Sequence, residues 1–350
     1  GAVIVKNNKI VGEGYHKKAG TDHGERVALE KAGILAKGAD LYVTLEPCNH
    51  FGRTPPCTKA IIEAGIKKVY VATVDPCSLV SGQGIKTLRG SGIEVEVGLR
   101  EEAAQELNEV FFKYITTQLP FIALKAACSL DGKIATKDGH SKWITGKEAR
   151  NHGHGLRNIY DAIMVGIGTV LKDDPMLNTR LENKDSRDPI RVIIDSNLDL
   201  PHSSKIVKTA KQLKTIVFCG QQADATRKAF LQEAGLTIVQ LAVDEDKLPL
   251  EEVLRVLGEM EITTLLVEGG GEINGSLIEK GLIDKVYWFI APKIVGGRES
   301  PTPVGGRGIL HLKDALPVNL MEIQRFDEDI AITGYIGGLR TEVRGRISEG

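Results

Sequence analysis

Apolar positions along the chain alternate between two spacings. Short runs that are continuous or alternate with polar residues mark strands, and longer stretches with apolar residues three and four apart mark helices. In the first third, AVIV and KIVGEGY flank Asn7 and Asn8 as a hairpin, ERVALEKAGILAKG reads as a helix, and LYVTLE, KKVYVATVD and IEVEVG read as strands. Pro55 and Pro56 suit the first turn of a helix through TKAIIEAG, since an initial proline gives up no helical hydrogen bond. Together these elements predict an α/β layer of about 100 residues.

EEAAQELNEVFFKYITT then reads as one helix with an apolar stripe, and QLP ends it. The pattern restarts at FIALKAACS, which places a domain boundary near residues 117 to 120. Beyond it AIMVGIGTV, PIRVIIDS, TIVFC, LTIVQL, TTLLVEGG and KVYWFIAPKIV read as strands, with helices at ATRKAFLQEAG and LEEVLRVLGEM. Two α/β domains are expected, over 1–117 and 120–340, and 350 residues suffice for two separate cores. The chain opens inside the strand AVIV, so an N-terminal segment is expected ahead of Gly1, and the polar tail after Gly338 is expected to pack poorly.

Composition narrows the partners. Forty-five basic residues against 46 acidic ones give a formal charge of -1, which leaves no electrostatic footprint for nucleic acid or for an anionic membrane. No apolar run reaches the roughly 20 residues of a membrane span, and GAVIVKNNKI is not a charged leader followed by a cleavable apolar segment. The expectation is a cytoplasmic protein whose partners are small molecules and other copies of itself, as a homo-oligomer. Five cysteines fit reduced thiols better than a disulfide framework.

Candidate chemistry concentrates in TDHGERVAL and LEPCNHFGRTPPC. Taken singly, a histidine on a helix or a cysteine in a loop is more often a packing residue than a ligand. His23, Cys48 and Cys57 together supply the three ligands of a hydrolytic zinc site, which keeps its fourth position for water. Glu25 adds a carboxylate able to move a proton from that water to a leaving amine, a group for which a purely structural zinc site has no use. H-x-E followed by P-C and a second cysteine is the signature of zinc-dependent nucleobase deaminases, here with a longer interval between the cysteines.

HGE, VTLEPCNHFGRTPPC and AIIEAGIKKVYVATVDP resemble the deaminase half of the bacterial bifunctional riboflavin-biosynthesis deaminase–reductases. PFIALKAACSLDGKIAT, HSKWITG, AIMVGIGTVLKDDPMLNTR, PIRVIIDS, LLVEGGGEING and YWFIAPKIVGG resemble the reductase half, in the family's order and over nearly the whole chain. The resemblance implies a cytidine-deaminase-like domain followed by a dihydrofolate-reductase-like domain. It further implies hydrolytic deamination of 2,5-diamino-6-(5-phosphoribosylamino)pyrimidin-4(3H)-one. NADPH-dependent reduction of the resulting phosphoribosylaminouracil to the ribitylamino product would follow. The chain departs from the family pattern at Gly24, where alanine is usual, and at Cys77 and Ser78, where asparagine and proline are usual.

Position by position, the resemblance makes His23, Cys48 and Cys57 the Zn2+ ligands and Glu25 the proton shuttle, with His50 and Arg53 meeting substrate. In the reductase half it places Ala127, Trp143, Thr169, Asp173, Gly270, Gly271, Glu272, Ile273, Asn274, Gly275 and Ser276 at NADPH. It places Ser141, Arg157, Leu177, Arg180 and Glu268 at substrate, the two arginines as a fork for its phosphate. The glycine cluster follows a strand and opens a helical pattern, which suits a backbone approaching a pyrophosphate. Lys125 lies among apolar strand neighbours, so its charge must pair or serve a site; with Asp173 it is expected to take part in the reductase chemistry. His152 and His154 have metal-like spacing without a third ligand and read as solvated helix residues. Two rival readings are a nucleic-acid base deaminase, disfavoured by the balanced charge, and a reductase carrying a deaminase-derived structural or sensory zinc module.

Overall fold

Asn7 and Asn8 both take positive φ, 49° and 60°, and their turn closes a hairpin of β1 (Ala2–Lys6) and β2 (Lys9–Gly14). The computed structural model describes residues 1–18, 20–52, 54–77, 81–181, 186–244 and 247–337. Its contacts divide the chain into two units, Gly1–Thr117 and Gln118–Gly350.

In the first unit the hairpin is followed by α1 (Gly24–Ala32), β3 (Asp40–Val43), α2 (Cys57–Glu63), β4 (Lys68–Val71), α3 (Gln83–Gly90), β5 (Glu94–Val97), α4 (Glu101–Leu107) and α5 (Glu109–Thr117). The sheet order is β2-β1-β3-β4-β5, antiparallel at β1 and parallel from β3 to β5. Ile4, Leu41 and Val69 of the sheet are sealed against Ala28, Ile61 and Leu88 of the helices, all with no exposed surface. Each large side chain so buried contributes about 1.5–3 kcal/mol. α1 lies unusually close to β2 because residue 14 is glycine; a Cβ there would stand 2.3 Å from the Gly24 carbonyl oxygen. That approach fixes where the start of α1, and with it His23, sits on the sheet.

The second unit contains β6 (Phe121–Ser129), α6 (Lys147–Ile159), β7 (Ala162–Gly166), α7 (Ile167–Asp173), β8 (Ile190–Ile194), α8 (Lys205–Lys208), β9 (Thr215–Gly220), α9 (Ala225–Glu233), β10 (Thr237–Leu241), α10 (Leu250–Glu259), β11 (Thr264–Val267), α11 (Gly271–Glu279), β12 (Lys285–Ala291), β13 (Val318–Phe326) and β14 (Asp329–Ile336). Nine strands pair in the order β10-β9-β8-β7-β11-β6-β12-β14-β13, parallel as far as β12 and antiparallel after it. The central strands are buried on both faces, as a parallel sheet covered by helices requires.

Several sequence expectations need correction. The first long helix ends at Ala32, where Gly33 takes φ 52° and a 3₁₀ turn over Gly33–Ala36 follows. EEAAQELNEVFFKYITT is two helices divided at Asn108. AIMVGIGTV is a strand only to Gly166 and helical beyond. Pro55 and Pro56 precede α2, Pro56 as its N-cap. The β13–β14 hairpin was not foreseen, and the tail after Gly338 lies outside the described residues. Among the described residues no helix is long and apolar enough to cross a membrane.

Candidate active sites

Two helix starts converge in the first unit. His23 is the N-cap of α1 and Cys57 is the first residue of α2. Nδ1 of His23 stands 3.5 Å from Cys48 Sγ and 3.4 Å from Cys57 Sγ. One ligand atom from each residue lies within 4.8 Å of the others. A tetrahedral zinc with bonds of about 2.3 Å to sulfur and 2.0 Å to nitrogen separates such atoms by about 3.5 Å, so the three donors fit that ion. The Cys57 backbone N–H donates to Cys48 Sγ at 3.3 Å, which ties the loop cysteine to the helix. Hydrogen bonding from Cys57 outweighs burial and holds the Cys48 thiol down at about 4, with His23 adding to the effect. The same hydrogen bond and burial raise Cys57, and the bond to Cys48 raises His23. Glu25 is half-buried, and burial raises its carboxyl above the usual range.

A cavity of about 220 Å³ opens beside these ligands, lined by His16, His23, Cys48 and His50 among others. His50 lines this cavity, while Arg53 lies outside the described residues. His16 was missed. Its ring meets His23 edge-on at 5.1 Å, but it comes from the polar loop after β2, where no spacing marks it. Glu46 was also missed. Buried to 3% exposure, it accepts backbone hydrogen bonds from Asp75, Gly82, Gly84 and Ile85 at 2.8–3.2 Å. It thereby clamps the start of α3 to the loop that carries Cys48 two residues later. The clamp is close because a Cβ at Gly84 would stand 2.1 Å from the Pro47 carbonyl oxygen.

In the second unit the candidate residues gather near the C-terminal ends of β6, β7 and β11, where parallel sheets place ligands. A cavity of about 310 Å³ there is lined by Lys125 and Ala127 of β6, Ser141 and Trp143 of the following loop, and Arg157 of α6. Thr169 and Asp173 of α7, Arg180, Glu268, Gly270 and Asn274 complete the predicted residues on its wall. Arg157 grips Glu268 with two hydrogen bonds, Nε to Oε1 at 2.8 Å and Nη2 to Oε2 at 2.9 Å, and Lys125 Nζ lies 3.7 Å from Oε2. Burial works to raise the Glu268 carboxyl, but the charges of Arg157 and Lys125 prevail and hold it at about 2. Lys125 therefore both pairs and lines the cavity. Ser141 donates to Asp173 Oδ1 at 3.4 Å.

Both arginines expected as a phosphate fork line the cavity, with different partners. Arg157 is committed to Glu268 and to the Asn178 carbonyl at 3.0 Å, whereas exposed Arg180 has no ion-pair partner among the described residues. Leu177 is 3% exposed and does not reach the cavity wall. Of the glycine cluster Gly269 and Gly270 open onto the cavity; Gly271 and Gly275 face Gly305, and a Cβ on Gly275 would stand 2.5 Å from its carbonyl oxygen. Glu272, Ile273 and Ser276 lie on α11 away from the wall. His154, read as solvated, instead lines the cavity, with its Nδ1 buried and without a hydrogen-bond partner among the described residues. Burial and then Arg157 and Arg180 lower its ring to about 4, so it is neutral near pH 7. His152 packs on Phe326 at 4.7 Å and Phe289 at 5.8 Å.

Residues 1–73 match the cytidine and deoxycytidylate deaminase zinc-binding region, and residues 120–332 match the RibD C-terminal domain. Over 332 residues the chain is 48% identical to the riboflavin biosynthesis protein RibD of Aquifex aeolicus, with 95% of this chain and 90% of that one covered. RibD of Acinetobacter baumannii superposes with a TM-score of 0.83 at 37% identity, covering 96% of this chain and 91% of that one. The crystal structure of the diaminohydroxyphosphoribosylaminopyrimidine deaminase/5-amino-6-(5-phosphoribosylamino)uracil reductase of Thermotoga maritima does so with 0.81 at 38% identity and the same coverage. The two folds are accordingly cytidine-deaminase-like and dihydrofolate-reductase-like. With a zinc-deaminase half, a reductase half and this likeness along almost its entire length, the chain belongs to the RibD family of bifunctional deaminase–reductases of riboflavin biosynthesis.

Proposed function

We propose that residues 1–117 deaminate 2,5-diamino-6-(5-phosphoribosylamino)pyrimidin-4(3H)-one with Zn2+, and that residues 120–340 reduce the product with NADPH, in the cytoplasm. The convergence of His23, Cys48 and Cys57 at separations that suit zinc carries the first half. Held by these three residues, zinc would lower the pKa of a bound water toward neutrality. Glu25, next but one to His23 at the start of α1, takes a proton from the attacking water and delivers it to the leaving amino nitrogen. Its raised carboxyl suits a group that must be protonated before it can donate. His50 lines the cavity and orients the pyrimidine, with Arg53 assigned beside it by the family pattern.

For the second half, the open first turn of α11 at Gly270 fits an approaching diphosphate, since the nearest atom to a Cβ there is Thr169 Oγ1 at 3.9 Å. NADPH bound there would supply the hydride. Ala127, Trp143 and Thr169 flank the same cavity and would hold the cofactor. Asp173 supplies the proton that quenches charge on the sugar-ring oxygen as the ribose opens. Lys125 and Glu268 hold the sugar, and Ser141 orients Asp173.

Glu25→Gln separates binding from proton transfer. It should keep one zinc per chain and lose ammonia release by at least about 100-fold, the scale of a lost proton-transfer group. Ammonia release at the parent rate would remove Glu25 from the mechanism.

A further inference from the structure

Two histidines on α6 sit two residues apart and do different things. His152 is a packing residue, its ring against Phe326 and Phe289. His154 makes no aromatic contact among the described residues, lies one turn before Arg157, and lines the reductase cavity with Arg157, Arg180 and Glu268. Its Nδ1 is shut off from solvent without a hydrogen-bond partner among the described residues, which leaves Nε2 as the ring nitrogen available to a ligand in the cavity. The tautomer protonated on Nε2 leaves only a lone pair on buried Nδ1 and turns an N–H donor toward the cavity.

We propose that His154 is a ligand-contacting residue of the reductase, donating from Nε2 to the phosphate ester of the phosphoribosyl substrate beside Arg180. Arg157 is held by Glu268, whereas Arg180 has no ion-pair partner among the described residues and is available to a phosphate, and the neutral imidazole adds a donor without adding charge. His154 acts in binding and not in proton transfer. The proposal rests on the reductase reading above.

The test is steady-state NADPH oxidation by the intact chain with 5-amino-6-(5-phosphoribosylamino)uracil, together with inhibition by ribose 5-phosphate. His154→Leu should raise KM and the ribose 5-phosphate inhibition constant by tenfold or more, on the scale of one lost hydrogen bond to a charged group. Its kcat should stay within about threefold and its NADPH affinity unchanged, because proton transfer is untouched. His154→Gln, whose amide N–H reaches the Nε2 position, should restore KM to within about threefold. An unchanged KM in His154→Leu, equal losses in the two variants, or a fall in kcat without a change in KM would each overturn the proposal. Should His154→Leu fail to fold, the ring ¹⁵N resonances of the native protein decide. A shift at His154 on adding ribose 5-phosphate supports the contact, and no shift overturns it. If the native chain oxidises no NADPH with this uracil, the reductase reading fails and the proposal falls with it, whereas a fully active His154→Leu removes His154 alone.

Discussion

Asp173 and Asp174 are neighbours in sequence with separate environments. Asp173 ends α7, lines the reductase cavity and accepts a hydrogen bond from Ser141. Asp174 turns the chain at φ 40° and accepts from the Lys205 backbone N–H at 2.8 Å, with Lys205 Nζ a further 3.6 Å contact. Asp173→Asn should therefore cut NADPH oxidation by at least about 100-fold, while zinc content and deamination stay intact. Asp174→Asn should lower stability by less than about 1 kcal/mol, as expected for an exposed pair, and leave turnover nearly unchanged. Equal, small effects in parallel assays would make Asp173 a helix-end residue without chemistry. At this scale the sequence was legible where residue type alone carries chemistry: a histidine, two cysteines and a carboxylate form a recognisable zinc set in any fold. His16, Glu46 and His154 were illegible, since a single histidine or glutamate has no chemistry until folding supplies its neighbours.

Helix starts bring the zinc set together. α1 presents His23, α2 presents Cys57, and α3 is drawn onto the Cys48 loop by the Glu46 carboxylate. Gly84→Ala should push α3 from Pro47, because the new Cβ meets a backbone oxygen that cannot rotate away. The expected outcome is zinc affinity weaker by about 10-fold or more, the usual cost of disturbing groups that orient metal ligands. Competition with a chelator measures it, and uracil-dependent NADPH oxidation should not change. Unaltered zinc affinity would show that the clamp does not position Cys48. Periodicity found nearly every strand because the buried runs are short and bounded. It misjudged α7 because IMVGIGTV is mostly apolar without a polar interval at helical spacing, and a buried strand cannot be told from a buried helix by spacing alone. Gly33 and Asn108 interrupted helices whose apolar stripes continue on either side, so the stripe concealed the breaks.

Each of the two units holds its own set of reactive side chains, and the balanced charge of the chain is consistent with small, diffusing substrates. Membership of the deaminase–reductase family follows from likeness along the whole chain, whereas the roles of individual side chains rest on where folding puts them. The division of labour makes one sharp demand: zinc should matter to the first reaction and not to the second. The decisive experiment supplies the intact, zinc-loaded chain with the diaminopyrimidine and NADPH, and follows ammonia and NADPH together before and after the metal is stripped by a chelator. The zinc-loaded protein should release one ammonia for each NADPH consumed. The stripped protein should do neither from the diaminopyrimidine, yet still oxidise NADPH when given 5-amino-6-(5-phosphoribosylamino)uracil. A folded, zinc-loaded chain that releases no ammonia, or a stripped one that can no longer reduce the uracil, would contradict this assignment.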